Sequence, residues 1–521
     1  MSRALQIGAF EIGVLLAVVA CGDDGGEEAR DLGSDASAEV DPGDGGADLG
    51  ALDLGADFGS DAGPEDLGVP PVAVSHVREL RAMWVATVFR LDFPSAAGLD
   101  AAAAEAELRA LVAETRAQGL NALFFQVRAE GDAFYASALE PWSRFLTGAQ
   151  GSHPGWDPLG LLVDLAHAEG IEVHAWVNPY RAATDPGSPR DPLHVAQRFP
   201  AATLAYGSGL VMNPADPAVR AHVLDVIEDV VTRYDVDGVV FDDYFYPYPT
   251  SEPFPDDADY LAYVDGGGAL SKSDWRRSNV DALVSAVGPR IHGVKPWVRW
   301  GIAPFGIYRP GQPAGVVGLD AYEVLAADAK RWVEEGWVDY ISPQLYWSTA
   351  STGQPFGPLA EWWAALPTGG RHLMPSLGLY RFGASAEWTT DEFRAEVALL
   401  RALGPVHGGH AWFRDGSRTA ALDAMFRDLY AIPARPPQVP GYDAGVEPPE
   451  VTPVLGGLSL AHPEPDEVRG YGLYAEDAGA WRLEQWLPAS RTSVATLPGT
   501  YVVSAIDRGG VESLGVQVEV R

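Results

Sequence analysis

Between His76 and about Pro433 the chain repeats one unit, a short apolar run followed by an amphipathic stretch of helical period. The apolar runs are 81–89, 121–128, 171–178, 237–243, 298–305, 338–345, 372–379 and 407–413. Most are rich in β-branched and aromatic residues, and all have strand length. Amphipathic runs fall at 100–118, 157–169, 216–234, 274–292, 320–335, 388–403 and 417–430. Gly119-Leu120 and Gly170-Ile171 have the character of helix C-caps feeding the next strand. Eight such strands, seven of them followed by an amphipathic run, in about 350 residues predict an α/β fold, a (β/α)8 TIM barrel with enlarged loops. An open doubly wound sheet is the competing architecture, but no glycine-rich phosphate loop follows any strand.

In a barrel, strand parity decides which side chains face the axis. Leu123, Phe125, Val127, Val173, Ala175, Val177, Val239, Phe241, Ile341, Leu345, Leu373 and Leu377 share the parity expected to pack on helices. The other parity carries Gln126, Arg128, His174, Asn178, Asp242, Tyr244, Gln344, Tyr346 and Tyr380. Polar residues thus collect on one face near the strand C-termini, which predicts a site for a polyhydroxylated or amide-bearing ligand at the barrel mouth. Taken singly, His174 fits a satisfied core histidine, Tyr346 and Tyr380 fit barrel filling, and Arg128 fits a structural partner for Asp242. Asp242 is harder to explain away, since an inward acid is costly unless paired or functional.

The N-terminus belongs to no fold. Arg3 precedes an apolar stretch, Ile12 to Ala20, that ends Val18-Val19-Ala20-Cys21. This is too short for a spanning helix and resembles a bacterial lipoprotein signal with its lipobox, so Cys21 is expected to carry lipid and anchor the chain to a membrane of the cell envelope. An ordinary cleaved signal peptide with an incidental cysteine is the alternative. Cys21 is the only cysteine, which excludes an intrachain disulfide. Residues 22–72, rich in Asp, Gly and Ala, are expected to form a disordered linker; the 22–70 portion supplies −14 of the net charge of −36. The negative charge on the rest argues against nucleic acid as a partner.

The barrel region carries ordered motifs. They are Arg-Ala-Met-Trp-Val-Ala-Thr-Val (81–88), Phe-Gln-Val-Arg (125–128), His-Ala-Trp-Val-Asn-Pro-Tyr-Arg (174–181), Phe-Asp-Asp-Tyr-Phe-Tyr-Pro (241–247), Gly-Ile-Ala-Pro-Phe-Gly-Ile (301–307) and Tyr-Ile-Ser-Pro-Gln-Leu-Tyr-Trp (340–347). With them, residues 77–432 resemble the glycosyl hydrolase-like 10 family. Its members are barrel proteins of bacterial envelopes, among them a divisome-associated hydrolase of peptide-free peptidoglycan strands. The resemblance implies a glycoside hydrolase of N-acetylated glycan, most simply peptidoglycan strands, that needs no cofactor and no metal.

Glycoside hydrolysis normally uses two carboxyl groups flanking the bond. Asp242 and Asp243 are the catalytic candidates, although by parity Asp243 faces away unless a bulge or the strand end re-aims it. Burial together with Arg128 or His174 is expected to set the pKa of the acid. Gln126, Arg128, His174, Trp176, Asn178, Arg181, Tyr244, Gln344, Tyr346, Trp347, Tyr380 and Trp412 are the candidates for binding substrate, Trp176, Trp347 and Trp412 as stacking faces. Glu130 and Asp132 are further acids nearby, Asp132 also readable as a turn residue. The fourth-strand pattern loosely resembles that of chitinase-type barrels, where the substrate's own N-acetyl group attacks. The acid there is a glutamate two residues after the aspartate, a position held here by Tyr244. Two other classes compete: a barrel that binds glycan without cleaving it, and a metal-dependent deacetylase. Against the latter, His174 lacks a partner histidine, and His407 and His410 fall on opposite parity.

After Pro433 a Pro-rich linker (434–453) leads to alternating runs at 471–474, 481–486 and 499–507. They predict a small C-terminal all-β sandwich over 454–521, similar to a fibronectin type III module, acting as spacer or binding sugar through Trp481 and Trp486. The expected boundaries are therefore 1–21, 22–72, 73–433, 434–453 and 454–521.

Overall fold

The computed structural model describes residues 71–521; the signal-like segment, Cys21 and the acidic stretch up to residue 70 lie outside the described residues. Eight parallel strands follow: β1 (Leu80–Val85), β2 (Ala122–Arg128), β3 (Glu172–Val177), β4 (Gly238–Phe241), β5 (Arg299–Ile302), β6 (Tyr340–Ile341 with Gln344–Leu345), β7 (His372–Leu373 with Ser376–Leu377) and β8 (Gly409–Trp412). Each pairs with the next, and β8 returns to β1, His410 opposite Arg81 and Trp412 opposite Met83. The result is a curled, TIM-barrel-like parallel sheet. Pro343 and Pro375 interrupt β6 and β7 because proline has no N–H for the ladder.

The principal helices are α1 (Ala101–Ala117), α2 (Pro158–Ala168), α3 (Pro217–Arg233), α4 (Lys272–Val294), α5 (Ala329–Glu334), α6 (Phe356–Ala364), α7 (Thr390–Ala402) and α8 (Ala420–Leu429). Asp100, Asp157 and Asp216 cap α1, α2 and α3 by accepting backbone N–H bonds, with proline in the first turn of the last two. Gly119 and Gly170 sit at φ +74° and +72°, the left-handed geometry expected of the two C-caps. Two of these helical segments differ from the pattern in the sequence. The run 320–335 is two short helices, Ala321–Val324 and α5, and α6 has no counterpart among the predicted runs. Helix α6 begins after Pro355, and Phe356, Leu359, Ala360 and Trp363 bury one helical face.

All twelve residues assigned to the outward parity lie in the layer between strands and helices. The interior is filled by a separate cluster that includes Leu80, Trp84, Phe124, Trp176, Val240, Tyr340 and Met374. The barrel is therefore packed below its mouth, as the layering of such sheets requires.

The C-terminal part holds two antiparallel sheets. One is β9 (Glu450–Val454), β10 (Gly457–Ala461) and β13 (Ser493–Ala495); the other is β11 (Val468–Asp477), β12 (Ala480–Pro488), β14 (Gly499–Asp507) and β15 (Val516–Val520). β9 begins inside the expected linker, and Val72 already pairs with Gly515. Leu458, Leu460, Leu473, Val503 and Ala505 form the shared core. This unit sits on the N-terminal end of the barrel strands. Arg508 pairs with Asp235 at 2.6 Å, and Trp486 lies under the Arg435 guanidinium at 3.6 Å and against Gly170. Trp486 is thus a docking residue rather than a sugar platform. Among the described residues no helix is long and apolar enough to cross a membrane.

Candidate active site

β4 delivers the two acids. Val239 and Phe241 pack outward on the helices and Val240 points inward, so the next inward position is Asp242. The strand ends at Phe241, and a turn in which Phe245 N donates to Asp243 O at 3.0 Å releases Asp243 from the strand alternation. Both carboxylates are only 4% exposed. Asp242 accepts from Trp176 Nε1 at 3.0 Å, from Asn178 Nδ2 at 3.0 and 3.1 Å, and from the Tyr244 backbone N at 3.3 Å. Asn178 is itself fixed, because its Oδ1 accepts from Tyr180 N and Arg181 N. Asp243 accepts from the Tyr248 hydroxyl.

Burial raises both acids. For Asp242 the Arg181 guanidinium and the N–H donors of Trp176, Asn178 and Tyr244 oppose that rise without cancelling it. For Asp243 burial and the neighbouring Asp242 charge together push the carboxyl up to about 6. Arg181 also lies 4.4 Å over the Tyr244 ring. Around the acids stand Tyr244 and Tyr248 (centroids 5.6 Å), Phe305 and Trp347 (5.6 Å), and Tyr346 and Tyr380 (5.7 Å). Gln344 borders the same space, its Nε2 donating to Ala303 O at 3.0 Å.

The model of the glycosyl hydrolase-like 10 family matches residues 79–372, which contain this whole acid and aromatic cluster except Tyr380. The chain belongs to that family. Glycosyl hydrolase YngK of Bacillus subtilis (strain 168) is 38% identical over 383 residues, 70% of this chain and 74% of that one. Glycosyl hydrolase DigH of Escherichia coli (strain K12) is 35% identical over 383 residues, 66% of this chain and 87% of that one. Among solved structures, the PgaB (BpsB) glycoside hydrolase domain from Bordetella bronchiseptica overlaps with a TM-score of 0.45 at 12% identity, covering 68% of this chain and 99% of that one.

In this family member, Asp242, Asp243, Trp176, Asn178, Arg181, Tyr244, Gln344, Tyr346, Trp347 and Tyr380 converge at the mouth. Four predicted residues do not. Gln126 is fully buried, and its Oε1 accepts from Thr87 N and Val88 N at 3.0 and 2.9 Å, tying β2 to the end of β1. Arg128 faces outward because a bulge between Gln126 and Arg128 shifts the register. There it binds Glu140 through Nη2 and Nε at 2.6 and 2.8 Å, and His222 of α3 reaches the same carboxylate at 2.9 Å. His174 has the inward parity but lies one layer below Trp176, its Nδ1 2.9 Å from Tyr340 Oη. Trp412 faces the helices, packing on Phe393 and Phe426 and donating to Tyr430 Oη at 2.8 Å. The cation beside Asp242 is accordingly Arg181, not Arg128 or His174.

Sequence reasoning missed Tyr248 and Phe305. Both lie past a proline, Pro247 and Pro304, where strand periodicity gives no guidance. Glu130 is taken up by the Thr184 N and Oγ1 donors at 2.8 and 2.7 Å and by Arg144. Asp132 accepts from Glu130 N at 3.2 Å as a turn residue beside Gly131, and burial with the Glu130 charge pushes it up to about 7. His407 and His410, expected to diverge, stack with centroids 5.8 Å apart. Gly409 between them, at φ +140°, breaks the alternation, and the pair lies at the barrel end opposite the mouth.

Proposed function

We propose that this chain is a glycoside hydrolase that cleaves N-acetylated glycan, with peptidoglycan strands as substrate. The observation that carries the reading is the pair of buried acids at the C-terminal end of β4, one with its pKa pushed up to about 6, inside an aromatic rim. A carboxyl titrating there is protonated often enough near neutral pH to act as an acid.

Asp243 is the proton donor. Its hydroxyl partner, Tyr248, can turn from donor to acceptor when the carboxyl is protonated. Asp242 has the other role, because Trp176 and Asn178 are N–H donors that favour its ionised form. Asp243 gives its proton to the glycosidic oxygen as the bond to the anomeric carbon breaks. The acetamido oxygen of the same sugar closes on that carbon while Asp242 accepts from the acetamido N–H. Asp243, now a carboxylate, takes a proton from the water that opens the ring and so returns to its acid form. Trp347, Tyr346 and Tyr380 supply apolar faces for sugar rings.

The lipobox-like segment at Cys21 and the acidic stretch after it support an envelope lipoprotein working on a tether, with the C-terminal sheets as a fibronectin type III-like spacer. The overall negative charge supports glycan rather than nucleic acid as partner. Digestion of purified sacculi, with and without an amidase that strips peptides, followed by mass spectrometry of released sugars, tests the reading. Soluble fragments from the wild type, and release slowed by roughly a hundredfold or more in Asp243→Asn, are expected. Strands bound but never cut would make the barrel a glycan-binding module, and untouched, unbound sacculi would remove glycan as the ligand.

A further inference from the structure

The histidine pair at the N-terminal end of the barrel adjoins a third ligand type. Glu79 immediately precedes β1, and His407 and His410 flank the start of β8, so the three side chains straddle the seam where the last strand meets the first. One nitrogen of each imidazole and one oxygen of the carboxylate lie within 4.8 Å of one another. The backbone makes this approach close: Leu80 N donates to Gly408 O at 2.8 Å, and a Cβ on Gly409 would lie 2.1 Å from Leu80 O.

Each imidazole is anchored through one nitrogen and bare at the other. His410 Nε2 is 2.5 Å from Tyr430 Oη, which also accepts from Trp412 Nε1. His407 is tied to the Gly409 backbone. His410 Nδ1 and His407 Nε2 are sealed from solvent with no hydrogen-bond partner among the described residues. Two unsatisfied imidazole nitrogens beside a carboxylate, with His410 braced from behind by Tyr430, supply the donor types of a histidine metal site with its outer support.

Two arginines already hold the carboxylate, and they differ. Arg81 is 2% exposed in its side chain, donates to Glu79 Oε2 at 2.7 Å and to Ile432 O at 2.9 Å, and is fixed. Arg401, on the outer helix α7, is 38% exposed and holds Glu79 Oε1 and Oε2 at 2.8 Å each. Of the two, only the Arg401 guanidinium has solvent at hand to replace its partner. If Arg401 swings into solvent, Glu79 Oε1 is freed while Arg81 still orients Oε2, and the opening it leaves is a route for an ion.

We propose that Glu79, His407 and His410 form a zinc site that clasps β8 to β1, with Arg401 as the cation that fills the place of the metal until it binds. Two imidazoles, one carboxylate and a water make the four-coordinate N/O set zinc favours. The site lies at the end of the barrel associated with stability rather than catalysis, and it stands whether or not the mouth cleaves glycan.

The test uses the untagged full chain, stripped with a chelator, dialysed against zinc chloride and then buffer, and assayed for zinc content and thermal midpoint. One zinc retained per chain and a higher midpoint than the stripped protein are expected. His407→Gln and His410→Gln should lose both, whereas Arg401→Leu, which keeps all three ligands, should bind zinc more tightly than the wild type. No retained zinc in the wild type, equal retention in both histidine variants, or weaker binding in Arg401→Leu would each overturn the proposal.

Discussion

Asp237 and Asp242 bracket the same four-residue strand, yet the two ends of β4 treat a carboxylate in opposite ways. At the N-terminal end, burial alone would raise Asp237, but Arg469, His167 and the Val173 N–H hold it well below the usual range. Its neighbours repeat the pattern, with Arg299 on Glu172 at 2.7 Å and Arg81 with Arg401 on Glu79. At the C-terminal end Asp242 and Asp243 receive neutral N–H and O–H donors and a single nearby arginine, Arg181, and both stay raised. One chemistry of side chain thus serves two purposes. Matched cations turn the lower acids into struts, and their scarcity at the mouth leaves acids able to exchange a proton.

The sharpest break in that comparison is between Asp243 and Asp237. In Asp243→Asn, kcat should fall by about 10²- to 10⁴-fold with the fold intact, the range of a lost general acid. Asp237→Asn should leave turnover largely unchanged and lower the melting temperature instead. Sacculus digestion and thermal unfolding measured on both variants decide it; a dead Asp237→Asn beside an active Asp243→Asn would reverse the roles of the two ends. Next in size, Arg299→Met removes the 2.7 Å ion pair of the buried Glu172, leaving it His174 at 3.5 Å, and should cost about 3–5 kcal/mol in denaturant unfolding. The corresponding change at the mouth, Arg181→Met, should cost far less stability and act on turnover.

The same contrast predicts pH behaviour of opposite sign. Asp243 titrates near 6 when folded, above the roughly 3.9 of a free carboxyl, so its contribution to stability is present below about pH 4 and is lost as pH rises through 6. Glu79 and Asp237 are lowered, so theirs is present above about pH 4 and lost in acid. The activity consequence is a basic limb in kcat/KM with its midpoint near pH 6, falling about tenfold per unit above it. A pH–rate profile flat from 5 to 8 would remove Asp243 as the acid.

How far these features can be read from the chain depends on what period 2 encodes. It correctly sends Leu123, Val173 and Phe241 to the helix layer, because each lies within an unbroken ladder, and the alternation carries one residue further to turn Asp242 to the axis. It fails at Arg128, where one extra residue in a bulge reverses the face. It is silent on depth, so His174 is inward yet sealed beneath Trp176 beside Tyr340. Beyond a strand end it says nothing, which is why the orientation of Asp243 and the presence of Tyr248 come from the structure alone. The His407–His410 contact is hidden for the same reason, since Gly409 at positive φ separates them.

The smallest effect concerns the rim. Trp347 is half-buried against Phe305, whose ring in turn meets Tyr248 at 6.4 Å, so a chain of aromatics connects Trp347 to Asp243. Its indole contributes contact area and no proton, and its loss should therefore weaken substrate binding without touching the acid. Trp347→Ala is expected to raise KM by roughly three- to tenfold, the scale of one lost aromatic contact, with the pH 6 limb unmoved. Trp412→Ala is the control from the far side of the sheet. That indole is fully buried among Phe393 and Phe426, so its removal should reduce stability and leave KM of the folded fraction alone. A KM effect confined to Trp412 would mean that sugar meets the barrel on its outer face, and the mouth would lose its place as the binding site.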